Sequence, residues 1–90
     1  MLKIKDEVDL NKLNFYKLEY DDSFGKWIFC GGEYEYISIN SWNRKIIINS
    51  LGGSAGVVLL MLINAGFVEA KFDSIDSIEK VEVSDGETEN

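Results

Sequence analysis

The chain has 90 residues, of which 46% are apolar and 28% charged, and its formal charge is −7 at pH 7. This length accommodates one compact domain, and the composition excludes intrinsic disorder for all but the ends. Histidine and proline are absent and Cys30 is the only cysteine. These absences exclude an internal disulfide, a cysteine-built zinc site and both the serine and cysteine triads. We therefore expect a non-enzymatic protein of a reducing cytoplasm, with no cofactor and no transition metal.

Acidic residues concentrate towards the C-terminal end. Residues 69–90 contain eight acidic side chains and two lysines, whereas the first 68 residues are nearly neutral. A nucleic-acid-binding protein is expected to carry a basic face, so we predict no direct nucleic-acid binding. We predict a single domain over residues 1–83 and an acidic flexible tail over 84–90. The acidic residues either keep the domain soluble or meet a basic partner.

The first half of the chain alternates strand-like segments with turn residues. Residues 1–5 alternate apolar and charged side chains, which predicts a strand, and Asp9 can then cap a brief helix. The pair Gly31 and Gly32 predicts a tight hairpin turn. Aromatic and β-branched residues between glycine, asparagine and aspartate turns predict four strands, at 16–20, 26–30, 34–39 and 44–49.

The second half begins with a flexible connector at 50–56, followed by seven apolar residues at 57–63. Leucine and methionine favour a helix there, with Ser54 as its cap and Gly66 as a left-handed C-terminal residue. A buried strand is the alternative, because a short apolar run cannot be assigned by period alone. Residues 67–72 alternate as a strand does.

These elements predict an α+β fold with an antiparallel four- to five-stranded meander sheet, a short N-terminal helix and one apolar helix in the C-terminal half. The uncharged stretch between Lys45 and Glu69 contains asparagine, serine and glycine, so it predicts a core element and no membrane segment. The predicted core residues are Leu10, Leu13, Trp27, Phe29, Ile37, Ile39, Ile46, Ile48, Leu60 and Ile63.

Four residues around one predicted turn form the candidate partner-binding set: Tyr34, Tyr36, Trp42 and Arg44. Tyrosine, tryptophan and arginine are enriched where proteins bind one another. Cross-strand packing on a small sheet is the alternative role for the aromatic members. Cys30 is interpreted as a buried small hydrophobe before a turn and not as a nucleophile, since no activating group accompanies it.

The glycine cluster at 52–56 precedes the predicted helix, where backbone N–H groups can bind a phosphate. A flexible turn explains the same residues, because the cluster matches neither a dinucleotide fingerprint nor a P-loop. The phosphate interpretation supports the alternative function, a small-molecule module that binds a signalling nucleotide.

A helix that is apolar on every side cannot bury all of its apolar surface by packing against one sheet. With Val57, Leu60 and Met61 assigned to the sheet, the remaining side chains need either the C-terminal segment or a second chain, and a homodimer is the hypothesis. The C-terminal segment would act through Phe72, Ile75, Ile78 and Val81. The self-association residues are then Val58, Leu59 and Leu62.

Residues 2–10 (LKIKDEVDL), 36–40 (YISIN) and 63–69 (INAGFVE) resemble segments of short uncharacterised proteins carried by phages and prophages of Gram-positive bacteria. The resemblance covers about residues 1–72 and includes no catalytic motif. It implies an accessory protein in the cytoplasm of the host bacterium that binds a host protein. Inhibition of a host defence factor such as a CRISPR nuclease is the function this resemblance implies.

Overall fold

A computed structural model of the chain describes residues 1–71. Within them, an antiparallel sheet is accompanied by two helices, which confirms the α+β class. The predicted tail at 84–90 lies outside the described residues. The elements in chain order are β1 (Leu2–Ile4), a 3-10 helix (Leu10–Tyr16), β2 (Glu19–Asp21), β3 (Lys26–Gly31), β4 (Tyr34–Asn40), β5 (Lys45–Ile48), α1 (Ala55–Asn64) and β6 (Val68–Ala70).

The sheet has six strands in the order β2-β3-β4-β5-β1-β6, which makes it wider than the predicted four to five strands. The meander from β2 to β5 is antiparallel throughout, as predicted. β1 enters between β5 and β6, so that Leu2 lies opposite Ile46 on one side and Ala70 on the other. The N-terminal strand therefore joins the meander to the end of the described chain. No helix among residues 1–71 is long and apolar enough to cross a membrane.

The β3–β4 hairpin turns at Gly32 and Glu33, one residue later than predicted, because β3 extends through Gly31. Gly32 has a φ of +65°, which glycine adopts without strain. Beyond this turn Cys30 lies opposite Glu35, whereas Phe29 lies opposite Ile37. Tyr36 is therefore the extra residue of a β-bulge.

The 3-10 helix begins at its predicted cap, since the Asp9 carboxylate accepts a hydrogen bond from the Asn11 N–H at 3.0 Å. It ends at Lys17, which has a φ of +68°. The predicted strand at 16–20 therefore starts too early. Tyr16 still belongs to the 3-10 helix, and the strand begins at Glu19.

One face of the sheet packs with both helices into a single core. The buried apolar side chains are Ile4, Leu13, Leu18, Trp27, Ile37, Ile39, Ile46, Ala55, Val58, Leu59 and Leu62. Five of the ten predicted core residues are among them, and Leu10, Phe29 and Ile48 are half-buried against it. The prediction is wrong for Leu60 and Ile63, which are exposed.

The orientation of α1 is the reverse of the prediction except at Met61, which is half-buried against the core. Val58, Leu59 and Leu62 are buried in the core of one chain, whereas Val57 and Leu60 are 58% and 59% exposed. Seven consecutive apolar residues contain no polar position to mark the solvent side, so the pattern could not specify the orientation. The homodimer hypothesis thus loses the exposed side chains on which it was based, and its alternative cover, residues 72–81, lies outside the described residues.

The C-terminal end of α1 has the predicted capping residue, whereas the N-terminal end lacks the predicted side-chain cap. Ser54 occupies the N-cap position without a side-chain hydrogen bond. Its φ of −86° and ψ of −3° are helical, whereas a capping side chain reaches the backbone from an extended conformation. Gly66 has a φ of +80°, which confirms the predicted left-handed glycine after the helix.

Candidate functional site

Two turns at one end of the sheet expose large aromatic side chains. Trp42, between β4 and β5, is 78% exposed, and Phe24, between β2 and β3, is 70% exposed. The Trp42 ring covers the buried Gly25, next to Phe24, and the Ser41 N–H donates to the Gly25 carbonyl at 3.0 Å. We call Phe24, Gly25, Trp42 and the adjoining Lys26 the turn surface.

Side-chain hydrogen bonds fix the backbone around Trp42. The Asn40 side-chain oxygen accepts hydrogen bonds from the N–H groups of Trp42 at 2.7 Å and Asn43 at 2.9 Å. The Asn43 side-chain oxygen accepts one from the Lys45 N–H at 2.8 Å. Asparagine favours such turns because its side chain imitates a backbone acceptor. The sequence Asn40-Ser41-Trp42-Asn43 therefore fixes the backbone that carries the tryptophan.

Arg44 ends this turn and ties it to the N-terminal part of the chain. Its Nη1 donates to the carbonyls of Lys5 at 2.8 Å and Val8 at 2.6 Å. Its φ is +65°, a conformation that costs energy for any residue other than glycine. The guanidinium is thus engaged within the chain, where it connects the end of the turn to Lys5 and Val8.

A small pocket adjoins the turn surface on the face of the sheet opposite the core. Its volume is about 140 Å³. Lys26 lies opposite Asn40 in register, and its Nζ also bonds the Glu35 carboxylate at 2.9 and 3.1 Å. We call this cavity the outer pocket. It is lined by Lys26, Ser38, Asn40, Asn43, Lys45 and Ile47.

The predicted tyrosines lie at the other end of β4. The rings of Tyr34 and Tyr36 have centroids 5.0 Å apart, and Tyr36 also contacts Phe29 at 6.1 Å. Tyr36 is half-buried and packs against the core, whereas Tyr34, two residues nearer the hairpin turn, is 50% exposed. Tyr36 precedes Trp42 by six positions, which corresponds to about 20 Å of extended chain.

The structure therefore divides the predicted partner-binding set. It brings Trp42 together with Arg44 at one turn, and it places both tyrosines elsewhere on the sheet. Sequence analysis did not select Phe24 or Lys26. The available signal was a lone phenylalanine within Asp21-Asp22-Ser23-Phe24-Gly25, an otherwise polar turn where an apolar side chain has no core to enter.

Cys30 is exposed near the end of β3, so the prediction that it is buried is wrong. It nevertheless lacks the surroundings of a reactive thiol. Loss of hydration, and then the carboxylates of Glu35 and Glu19, raise the pKa of the Cys30 thiol above its ordinary value of 9.0. A thiol nucleophile requires the opposite shift. Within residues 1–71, no group of three or more potential ligand side chains lies close enough to hold a metal ion.

The glycine connector before α1 uses its backbone donors within the chain. The Gly52 N–H donates to the Ser50 hydroxyl at 3.1 Å, and the Ala55 N–H donates to the Gly52 carbonyl at 3.1 Å. Gly53 has a φ of +58°, which glycine supplies without strain. These contacts describe a turn stabilised by its own hydrogen bonds.

Comparisons with protein-family models, with curated proteins and with solved structures give no match for this chain. The resemblance to phage accessory proteins therefore stays a prediction.

Proposed function

We propose that this protein is a non-enzymatic binding protein that acts by contact with another protein through the turn surface. The exposure of Trp42 and Phe24 on adjacent turns carries this proposal. A side chain of this size left in water forgoes roughly 1.5–3 kcal/mol of burial. Side chains of this kind, tryptophan above all, are the ones that dominate binding energy when a partner covers them.

The construction of the turn supports the same function. Asn40 and Asn43 bond the backbone on both sides of Trp42, and Arg44 fixes the end of the turn to Lys5 and Val8. A turn whose backbone is already fixed loses little conformational freedom on binding. The turn surface therefore presents a preorganised aromatic contact.

The resemblance noted in the sequence supplies the biological setting of the proposal. A phage-type accessory protein in the bacterial cytoplasm would bind a host protein and inhibit it, with a defence factor such as a CRISPR nuclease as the kind of target. The raised pKa of the Cys30 thiol and the lack of histidine support a protein that acts without catalysis.

The nucleotide-binding alternative has less support. The connector at 52–56 uses the Gly52 and Ala55 N–H groups within the chain, which leaves fewer donors for a phosphate. The outer pocket, at about 140 Å³, is smaller than the roughly 300–1,000 Å³ of ordinary small-molecule sites.

Capture from a bacterial lysate with matched variants tests the proposal. The full-length protein, Trp42→Ala, Phe24→Ala and Phe15→Ala are immobilised separately, and the retained proteins are quantified by mass spectrometry. Phe15 is the control because it is 81% exposed on the 3-10 helix, outside the turn surface. We expect one retained protein to be lost with Trp42→Ala and Phe24→Ala and kept with Phe15→Ala. Equal retention by all four proteins would overturn the proposal.

A further inference from the structure

We propose that the outer pocket binds a carboxylate side chain from an acidic segment of the partner protein, and this inference rests on the proposed function of the neighbouring turn surface. The pocket shares Lys26 with the turn surface, and Asn43 directly follows Trp42. A segment that covers Trp42 would therefore reach the pocket with an adjacent side chain.

The hydrogen bonds of the turn decide which atoms the two asparagines offer to a ligand. Backbone N–H groups can only donate, so the side-chain oxygens of Asn40 and Asn43 must face the N–H groups of Trp42, Asn43 and Lys45. The side-chain NH₂ groups consequently face away from these bonds. Both asparagines line the outer pocket, so the groups they have left to offer a ligand are NH₂ donors, while their acceptors are already occupied.

Two lysines complete a lining rich in donors. Lys45 has no ion pair within residues 1–71, and it lies opposite Lys3 in register. Lys3 is already paired with Asp6 at 2.8 Å and with Glu69 at 3.8 Å, so Lys45 is the member of this lysine pair that is open to an added anion. Lys26 already bonds Glu35, so Lys45 supplies the main charge for the ligand.

The size of the pocket favours a side chain over a larger anion. Its volume of about 140 Å³ accommodates a carboxylate and the carbon atoms that carry it. Ile47 and the stems of the lysines provide apolar walls for those carbons. The ligand is therefore an aspartate or glutamate side chain whose oxygens accept from Lys45 Nζ and from the asparagine NH₂ groups.

An NMR titration of the full-length protein tests this site with defined probes. The probes are a capped hexaglutamate peptide, a capped hexaglutamine peptide and inorganic phosphate, each in about 0.1 M salt, where long-range repulsion from the acidic chain is screened. We expect hexaglutamate to shift the side-chain NH₂ signals of Asn40 and Asn43 and the indole N–H signal of Trp42. Hexaglutamine should leave these signals unchanged.

Lysine variants locate the binding to the pocket. Lys45→Gln should weaken hexaglutamate binding by about fivefold or more, as expected for the loss of a charge-assisted hydrogen bond. Lys12→Gln is the matched control, because this substitution removes the same charge from a lysine that is exposed on the 3-10 helix. Its affinity for hexaglutamate should stay within about twofold of wild type.

Three outcomes would overturn the carboxylate assignment: equal shifts with hexaglutamine, equal weakening by Lys12→Gln, or tighter binding of phosphate than of hexaglutamate. The proposed function has a separate test in Trp42→Ala. If Trp42→Ala abolishes partner capture while Lys45→Gln leaves it unchanged, the turn surface still binds a protein and only the carboxylate site is wrong.

Discussion

Trp42 covers Gly25 so closely that no side chain fits between them. A Cβ atom on Gly25 would lie 2.5 Å from Cη2 and 2.7 Å from Cζ3 of the indole ring. The lack of a side chain at Gly25 thus allows the exposed indole ring to pack directly on the backbone. Its φ of +63° also belongs to the region that glycine adopts most readily.

Gly25→Ala is expected to destabilise the protein and to displace the Trp42 ring. The left-handed conformation costs roughly 1–2 kcal/mol for alanine, and the contact with the indole adds to that cost. Gly32→Ala is the control, since its φ is +65° but nothing lies within 4 Å of its added Cβ. Urea unfolding should show a larger loss for Gly25→Ala, and equal losses would contradict the described contact.

The side chain and the backbone of Arg44 should have opposite effects on the free energy of unfolding. Arg44→Ala removes the hydrogen bonds to Lys5 and Val8, at a cost of about 2–4 kcal/mol. Arg44→Gly removes the same bonds but relieves the strain of a φ of +65°, so it should be about 1 kcal/mol more stable than Arg44→Ala. Unfolding free energies measured by urea titration compare the two variants. A glycine variant less stable than the alanine variant would contradict this role.

The corrected orientation of α1 gives a direct mutational test. Leu62→Ala opens a cavity in the core and should cost about 2–5 kcal/mol of unfolding free energy. Leu60→Ala, two residues earlier, changes a side chain that is exposed and should cost about 0.5 kcal/mol or less. Thermal or chemical unfolding of both variants distinguishes the faces. The reverse order of stability would restore the orientation that the sequence predicted.

The contribution of the Lys3–Asp6 ion pair to stability should depend on pH in the acidic range. The Lys3 ammonium donates to the Asp6 carboxylate at 2.8 Å, and this bond, followed by the lysine charge, lowers the pKa of Asp6 below 3.8. Because the folded-state pKa is lowered, the stabilisation is present above pH 4 and is lost as the pH falls through the folded-state pKa.

Asp6→Asn should therefore lose less stability than wild type between about pH 5 and pH 2. Asp22→Asn makes the same change of charge at an exposed aspartate outside the ion pairs of residues 1–71, and it should retain the wild-type dependence. Melting temperatures recorded across this range check the difference. Identical pH profiles for all three proteins would show that the ion pair contributes nothing.

Local signals predicted most of the secondary structure. Alternation at 1–5 and 67–72, the cap at Asp9 and the glycine at Gly66 all correspond to features of the fold. The order of the strands was harder to predict from the sequence, because the insertion of β1 between β5 and β6 depends on contacts between distant parts of the chain. Such pairing leaves no mark in the pattern of a three-residue strand.

The candidate site was predicted only in part for a related reason. Trp42 and Arg44 stand two residues apart, so one turn could be recognised from the sequence. The contribution of Phe24 depends on Gly25 lying under the Trp42 ring, which is a contact between two separate turns. Tyr34 and Tyr36 lie at the opposite end of β4 from this turn, and the bulge at Tyr36 is a register shift against β3 that the sequence does not mark.

The central claim is that Trp42 is the principal contact with a protein partner, and the affinity of that partner measures it most directly. Once the partner has been captured and purified, isothermal titration calorimetry compares wild type, Trp42→Ala and Phe15→Ala. Loss of a central tryptophan contact of 2 kcal/mol or more corresponds to a weakening of about 30-fold or greater. We expect that loss for Trp42→Ala and a change within about twofold for Phe15→Ala. An unchanged affinity of Trp42→Ala would contradict the account.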